Sequence, residues 1–119
     1  DRPEYGYERW PEVYRTFDVF VSPSLVEGGP VPLLEAMLSG VWPIATRTGH
    51  AEDVIQDGVN GALFDAADAE GFDRKLSQAL SREPGPVAAV HSSVLHLTWD
   101  RFGAAVDRRI AALRAEAPR

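Results

Sequence analysis

Three short apolar runs, Val19-Phe20-Val21, Pro43-Ile44-Ala45-Thr46 and Ala62-Leu63-Phe64, punctuate the first half of the chain, and helix-spaced segments separate them. Because the runs are continuous rather than alternating, they predict strands buried on both faces, as in a parallel sheet. The intervening segments are long enough for right-handed crossovers, so the expected architecture is an open α/β parallel sheet of about three strands with flanking helices. Pro11 opens a short helix to about Thr16, at a first-turn position where its missing N–H is harmless. Leu33, Leu34, Met37 and Leu38 recur at helical spacing until Gly40 ends the helix. A brief helix is expected near Ala51 to Gln56, with turns at Asp57-Gly58 and Asn60-Gly61. Asp68 is the expected N-cap of a helix whose Phe72, Leu76 and Leu80 share a face, and Arg82-Glu83-Pro84-Gly85-Pro86 breaks it. Thr98 can cap a last helix in which Trp99, Phe102, Val106, Ile110 and Leu113 form one apolar stripe.

With 119 residues the chain has the size of one domain, and 45% apolar with 25% charged residues is a globular composition that excludes disorder and low-complexity scaffolds. The absence of cysteine removes disulfides, cysteine zinc sites and thiol nucleophiles together, and is compatible with a reducing, cytoplasmic location. No apolar run approaches the ~18 residues that a membrane span needs, and the first residues lack a signal pattern. Residues 1–70 carry 13 acidic against 4 basic side chains, whereas residues 71–119 carry 5 against 8. A nucleic-acid surface on the acidic part is excluded, since phosphate neutralisation needs clustered Lys and Arg. The basic tail, with Arg101, Arg108, Arg109 and Arg114, reads either as a surface for an acidic partner or as a solvated helix face with cations toward its C-terminus.

The chemistry gathers between Ser22 and Gly40, where a strand ends, a glycine loop follows and a helix begins. In open α/β sheets ligands bind beyond the carboxyl ends of the strands, and a helix N-terminus there offers unpaired N–H groups to phosphate or sugar oxygens. Glu27 precedes the helix and Glu35 lies about one turn inside it. A carboxylate accepts two hydrogen bonds from a vicinal diol such as a ribose or a hexose. On spacing alone two readings stay open: hydroxyl recognition by this pair, or an N-cap-like Glu27 with an unrelated surface Glu35. His50 reads as a loop residue rather than a base, and His91 and His96 are five residues apart, without the i, i+4 companion of a metal site.

The stretches Asp18-Val19-Phe20-Val21-Ser22-Pro23-Ser24, Glu27-Gly28-Gly29-Pro30-Val31-Pro32-Leu33-Leu34-Glu35-Ala36-Met37, Gly40, Pro43 to Thr46 and Gly58-Val59-Asn60-Gly61 closely resemble the group 1 retaining glycosyltransferases of the GT-B architecture, over about residues 10 to 81. The resemblance rests on the E-x7-E signature inside the frame E-G-x-P-x-x-L-L-E-A-M. It implies a partial Rossmann-like sheet, a nucleotide diphosphate sugar as donor and an acceptor that is not readable here, with no metal and no cofactor. It assigns Glu27, the catalytic candidate, to the sugar hydroxyls and Glu35 to the ribose diol. Backbone groups of Gly28, Gly29, Pro30 and Val31 would line the sugar and diphosphate. Pro30 and Pro32 cannot donate, so Gly29 and Val31 must supply the amides.

The resemblance further implies that residues 1–119 are the later part of a C-terminal donor-binding domain. The acceptor domain and the first half of the donor domain, with its basic diphosphate-binding pair, are expected to lie elsewhere, and the piece alone is expected to be inactive. A non-catalytic interaction module, or a related phosphorylase or sucrose- or trehalose-type enzyme, are the alternatives. The first strand is expected to leave an open edge, which either pairs with a second copy or is covered by Asp1 to Arg15 through Tyr5, Tyr7 and Trp10.

Overall fold

The computed structural model describes residues 6–29, 31–81 and 87–116. A single turn of 3-10 helix at Tyr7–Arg9 leads into α1 (Trp10–Tyr14) and β1 (Val19–Ser22), followed by α2 (Val31–Leu38), β2 (Trp42–Thr46), α3 (Ala51–Val54), β3 (Ala62–Phe64), α4 (Ala69–Ser81), α5 (Val87–Val94) and α6 (Trp99–Glu116). All strand pairing is parallel in the order β1-β2-β3, with Val21 opposite Ile44 and Ala45 opposite Leu63. The expected α/β sheet is therefore present, its three strands each within a residue of the apolar runs. Among the described residues no helix is long and apolar enough to cross a membrane.

Burial follows from the alternation of side chains across the pleat. Ala45 and Leu63 face a layer made by Leu33 and Met37 of α2, Ala51 and Ile55 beside α3, and Val90 and Val94 of α5. Ile44, Ala62 and Phe64 face the opposite layer, where α4 contributes Phe72, Leu76 and Ala79. Leu80, expected on that face, is 64% exposed because Ala79 takes the inward position. β2 is buried except at Trp42 and β3 throughout, but β1 is only half-buried, since it pairs with β2 alone among the described strands.

The ends of the helices carry the expected punctuation. Gly40 adopts φ 81°, its N–H bonds the Met37 carbonyl at 2.9 Å, and the Val41 N–H reaches back to Ala36 at 2.9 Å. This pair of bonds is a Schellman closure, and the left-handed conformation it needs is one that glycine adopts without a Cβ penalty. Asp68 caps α4 through its carboxylate to the Gly71 N–H at 2.8 Å, and the Thr98 hydroxyl receives the Arg101 N–H at 3.3 Å. The helix breaker at 82–86 lies outside the described residues.

Two differences from the sequence reading stand out. Val87–Val94 is a helix that the sequence reading did not include, held by Val90 and Val94 entering the core one turn apart and by His91 Nδ1 bonding the Leu38 carbonyl at 2.5 Å. The apolar stripe of α6 exists but buries nothing, for Trp99 is 86% and Phe102 62% exposed.

Candidate functional site

The carboxyl ends of β1 and β2 lie side by side, Ser22 in register with Ala45, and the loop that follows β1 is tied to β2 at once. Thr46, the last residue of β2 and 1% exposed, donates its hydroxyl to the Ser24 carbonyl at 2.5 Å. Ser24 in turn donates to Glu27 Oε2 at 3.4 Å, and the Gly28 N–H donates to Glu27 Oε1 at 3.2 Å. Glu27 is thus half-buried in a loop that its own neighbours hold, with its carboxylate accepting from both sides. The next loop closes on the same point: Gly49 has φ 52°, and a Cβ there would stand 2.1 Å from the Glu27 carbonyl oxygen. The His50 ring, half-buried, bonds the Asp53 carboxylate at 3.1 Å across the first turn of α3.

Glu35 sits in the second turn of α2, behind this loop, as the spacing predicted. Its environment is one the spacing did not predict. Tyr7 donates its hydroxyl to Oε1 at 2.7 Å and Tyr14 donates to Oε2 at 3.0 Å. Tyr14 is 4% exposed and packs edge-on to Phe17 and Phe20, within a cluster that includes Ala36 and Val41. Burial first, and then the Glu35 carboxylate, push the Tyr14 phenol up to about 12, while the hydrogen bond and charge of Glu35 raise Tyr7. At neutral pH both phenols are therefore donors. A cavity of about 460 Å³ opens beside them, lined by Tyr7, Trp10, Tyr14, Glu35, Leu38 and His91 among others.

Gly28 and Gly29 are exposed in the loop, and Val31, 58% exposed, opens α2. Pro32 falls in the first turn, where a missing N–H costs nothing. Pro30 lies outside the described residues. Glu27 and Glu35 are addressed by separate partners, one by the loop and one by the tyrosines, so each carboxylate is oriented independently. Arg47, immediately after β2, is directed at Asp57 and Asp65 at 3.6 and 3.5 Å, so this cation is engaged in the fold rather than offered to the loop. Tyr7, Tyr14 and Thr46 are the residues that the sequence reading missed. Tyr7 and Tyr14 lie 28 and 21 positions from Glu35, beyond any local pattern.

Comparison with known proteins identifies the family and the fold. The chain is 36% identical over 92 residues to a sucrose synthase of Melioribacter roseus, which covers 77% of this chain and 10% of that enzyme. Its fold matches a sucrose-phosphate synthase of Thermosynechococcus elongatus with a TM-score of 0.77 at 21% identity, over 96% of this chain and 30% of that one. It also matches the catalytic domain of starch synthase IV from Arabidopsis thaliana bound to ADP and acarbose, with a TM-score of 0.67 at 25% identity, over 93% of this chain and 25% of that one. The chain thus spans less than a third of the length of each. Residues 4–91, which hold the whole sheet, both glutamates and both tyrosines, match the family profile, and the chain belongs to the glycosyl transferases group 1.

Proposed function

We propose that this chain forms part of the donor side of a retaining, metal-independent glycosyltransferase, which moves a sugar from a nucleotide diphosphate sugar to an acceptor held elsewhere. The observation that carries the reading is Glu35, a carboxylate fixed one turn into the helix that follows β1; the cavity beside it is lined from α1 and the C-terminal half of α2 and does not reach Glu27, Gly28, Gly29 or Val31. A carboxylate there suits the ribose diol, and α2 directs its first amides toward the diphosphate. Glu27, ahead of the helix, takes the sugar hydroxyls, and the backbone of Gly28, Gly29, Pro30 and Val31 lines the sugar and phosphates.

In the transfer, the bond between the anomeric carbon and the diphosphate oxygen breaks with its electron pair leaving on the phosphate. The acceptor oxygen then bonds to that carbon and passes its proton to the departing diphosphate oxygen. Negative charge grows on the leaving group, and the start of α2 stabilises it. Arg47 is engaged by Asp57 and Asp65, whereas Arg15 lines the cavity beside Glu35. ADP in the related starch synthase structure supports a nucleoside diphosphate as the leaving group. The cysteine-free chain accords with action in the cytoplasm.

Calorimetry on the complete enzyme tests the reading. Glu35→Gln keeps size but weakens charge-assisted acceptance and is expected to cost about 1.5–3 kcal/mol of donor affinity. An unchanged dissociation constant rejects the ribose assignment.

A further inference from the structure

The two tyrosines on Glu35 are not equivalent, and the difference has a functional consequence that rests on the ribose reading above. Tyr14 is locked: its ring is 4% exposed and touches Trp10, Phe17 and Phe20 at centroid distances of 5.9, 6.2 and 6.0 Å. Its hydroxyl cannot leave Oε2 without moving the packing between α1, α2 and β1. Tyr7 belongs to a single 3-10 turn, is 73% exposed, and lines the cavity as it holds Oε1. Swinging it away exposes little that is now covered. A carboxylate offers about four lone-pair directions, so one fixed donor on Oε2 sets the plane of the group and still leaves room for incoming hydroxyls.

We propose that Tyr14 is a positioning residue that aims the Glu35 carboxylate, and that the Tyr7 hydroxyl occupies at Oε1 the place a ribose hydroxyl takes when nucleotide binds. The unliganded site is then kept satisfied by its own chain, because a half-buried carboxylate without donors is costly and Tyr7 supplies a removable one. Tyr14 contributes orientation at all times, and Tyr7 competes with the ligand.

The test is a titration of the complete enzyme, followed by calorimetry and by nuclear magnetic resonance, with ADP, UDP and their 2′-deoxy forms, on wild type, Tyr14→Phe, Tyr7→Phe, Glu35→Asp and Glu35→Gln. Wild type is expected to prefer the ribonucleotide about tenfold, the loss expected for one hydrogen bond to a charged group. Tyr14→Phe, which retains the packed ring, is expected to reduce that preference to within about twofold of unity, whereas Tyr7→Phe binds about two- to threefold more tightly with the preference intact. Should Tyr14→Phe disturb the amide spectrum, Glu35→Asp leaves every ring in place, withdraws the carboxylate from the fixed hydroxyl and is expected to lose the preference too. Full preference in Tyr14→Phe, or in Glu35→Asp where that variant must serve, overturns the positioning role, and weaker binding by Tyr7→Phe overturns the competition. A wild type that binds no nucleotide or ignores the 2′-hydroxyl, with Glu35→Gln indistinguishable from it, overturns the ribose reading itself and the proposal with it.

Discussion

Gly49 lies directly against the backbone of Glu27, so closely that a Cβ on it would stand 2.1 Å from the Glu27 carbonyl oxygen, and its φ of 52° is one that side chains rarely adopt. The loop after β2 and the loop that carries Glu27 therefore fit together only with glycine at this point. Gly49→Ala is expected to cost about 1–2 kcal/mol from the left-handed backbone, and more from the forced shift of the Glu27 loop. Gly28→Ala is the control, since nothing lies within 4 Å of its added Cβ. Thermal unfolding of the two variants checks this, and equal midpoints would reject the interlock.

Glu27 precedes α2 and is oriented by Ser24 and the Gly28 amide, apart from the tyrosines on Glu35. In the complete enzyme, Glu27→Ala is expected to lower the transfer rate with intact donor by about two orders of magnitude, the scale of losing one interaction made in the transition state. Affinity for the bare nucleoside diphosphate should change less than threefold. Steady-state kinetics beside calorimetry separate the two quantities, and an equal fall in both rejects the division between sugar and ribose.

The Tyr14 phenol, raised to about 12 by burial and by Glu35, lies above its unfolded value near 10. A raised folded pKa favours the protonated form in the native state. The resulting stability is fully present below pH ~10 and is lost as pH rises through the folded value. Ultraviolet titration of the native chain should show Tyr14 ionising only at about pH 12 and Tyr7 above the ordinary phenol range. In Glu35→Gln the Tyr14 phenol should move part of the way back, since its burial remains. A normal titration of all three phenols in the native protein would contradict the buried Tyr14–Glu35 pair.

The strands and the glutamates were legible because the physics that makes them is local. Val19 to Val21 and Ala62 to Phe64 are apolar runs bounded by turns, and Glu27 and Glu35 fall on either side of a helix start that a glycine loop and Gly40 delimit. What escaped depends on distant partners. Residues 87–94 place Val87, Val90 and Val94 at helical spacing, but eight residues mixing alanine and serine carry only a short stripe, and they hold as α5 because Val90 and Val94 join Leu33 and Met37 in the core. Tyr14 reads as one aromatic in a short helix, and its role emerges only when α1 packs on α2.

Asp57 joins the turn before β3 to α4, accepting from the Leu63 N–H at 3.0 Å and from Lys75 through both oxygens at 2.8 Å. Burial raises its pKa, but the Lys75 and Leu63 hydrogen bonds and the charges of Lys75 and Arg47 outweigh burial and lower it overall. A lowered folded pKa gives stability that is present above the unfolded value and is lost as pH falls through the folded one. Asp57→Asn keeps an acceptor for Leu63 and removes the charge, so it should cost about 0.5–1 kcal/mol at neutral pH and flatten the acid side of the stability curve below pH ~4. Denaturant melts across pH check this, and an unaltered acid limb would remove the role assigned to the pair.

The outer edge of β1 has no partner strand among the described residues, and Val19-Phe20-Val21-Ser22 carries neither Lys nor Pro to discourage pairing. Among the described residues the segment before it supplies no covering strand, since residues 7–14 are helical, Tyr7 is directed to Glu35 and Trp10 packs at a tilt against Tyr14, while Tyr5 lies outside the described residues. Self-association through this edge is therefore expected. Phe20 is a poor probe of it, because its ring packs into the core beside Tyr14, whereas Val21 is 36% exposed. Light scattering with size-exclusion chromatography should show Val21→Lys to be monomeric at concentrations where the unaltered chain is dimeric. Phe102→Glu serves as the second arm, because the stripe on α6 is also apolar and exposed. A dimer that survives Val21→Lys and disappears in Phe102→Glu would transfer the contact to α6, and a chain monomeric at high concentration would reject pairing at either surface.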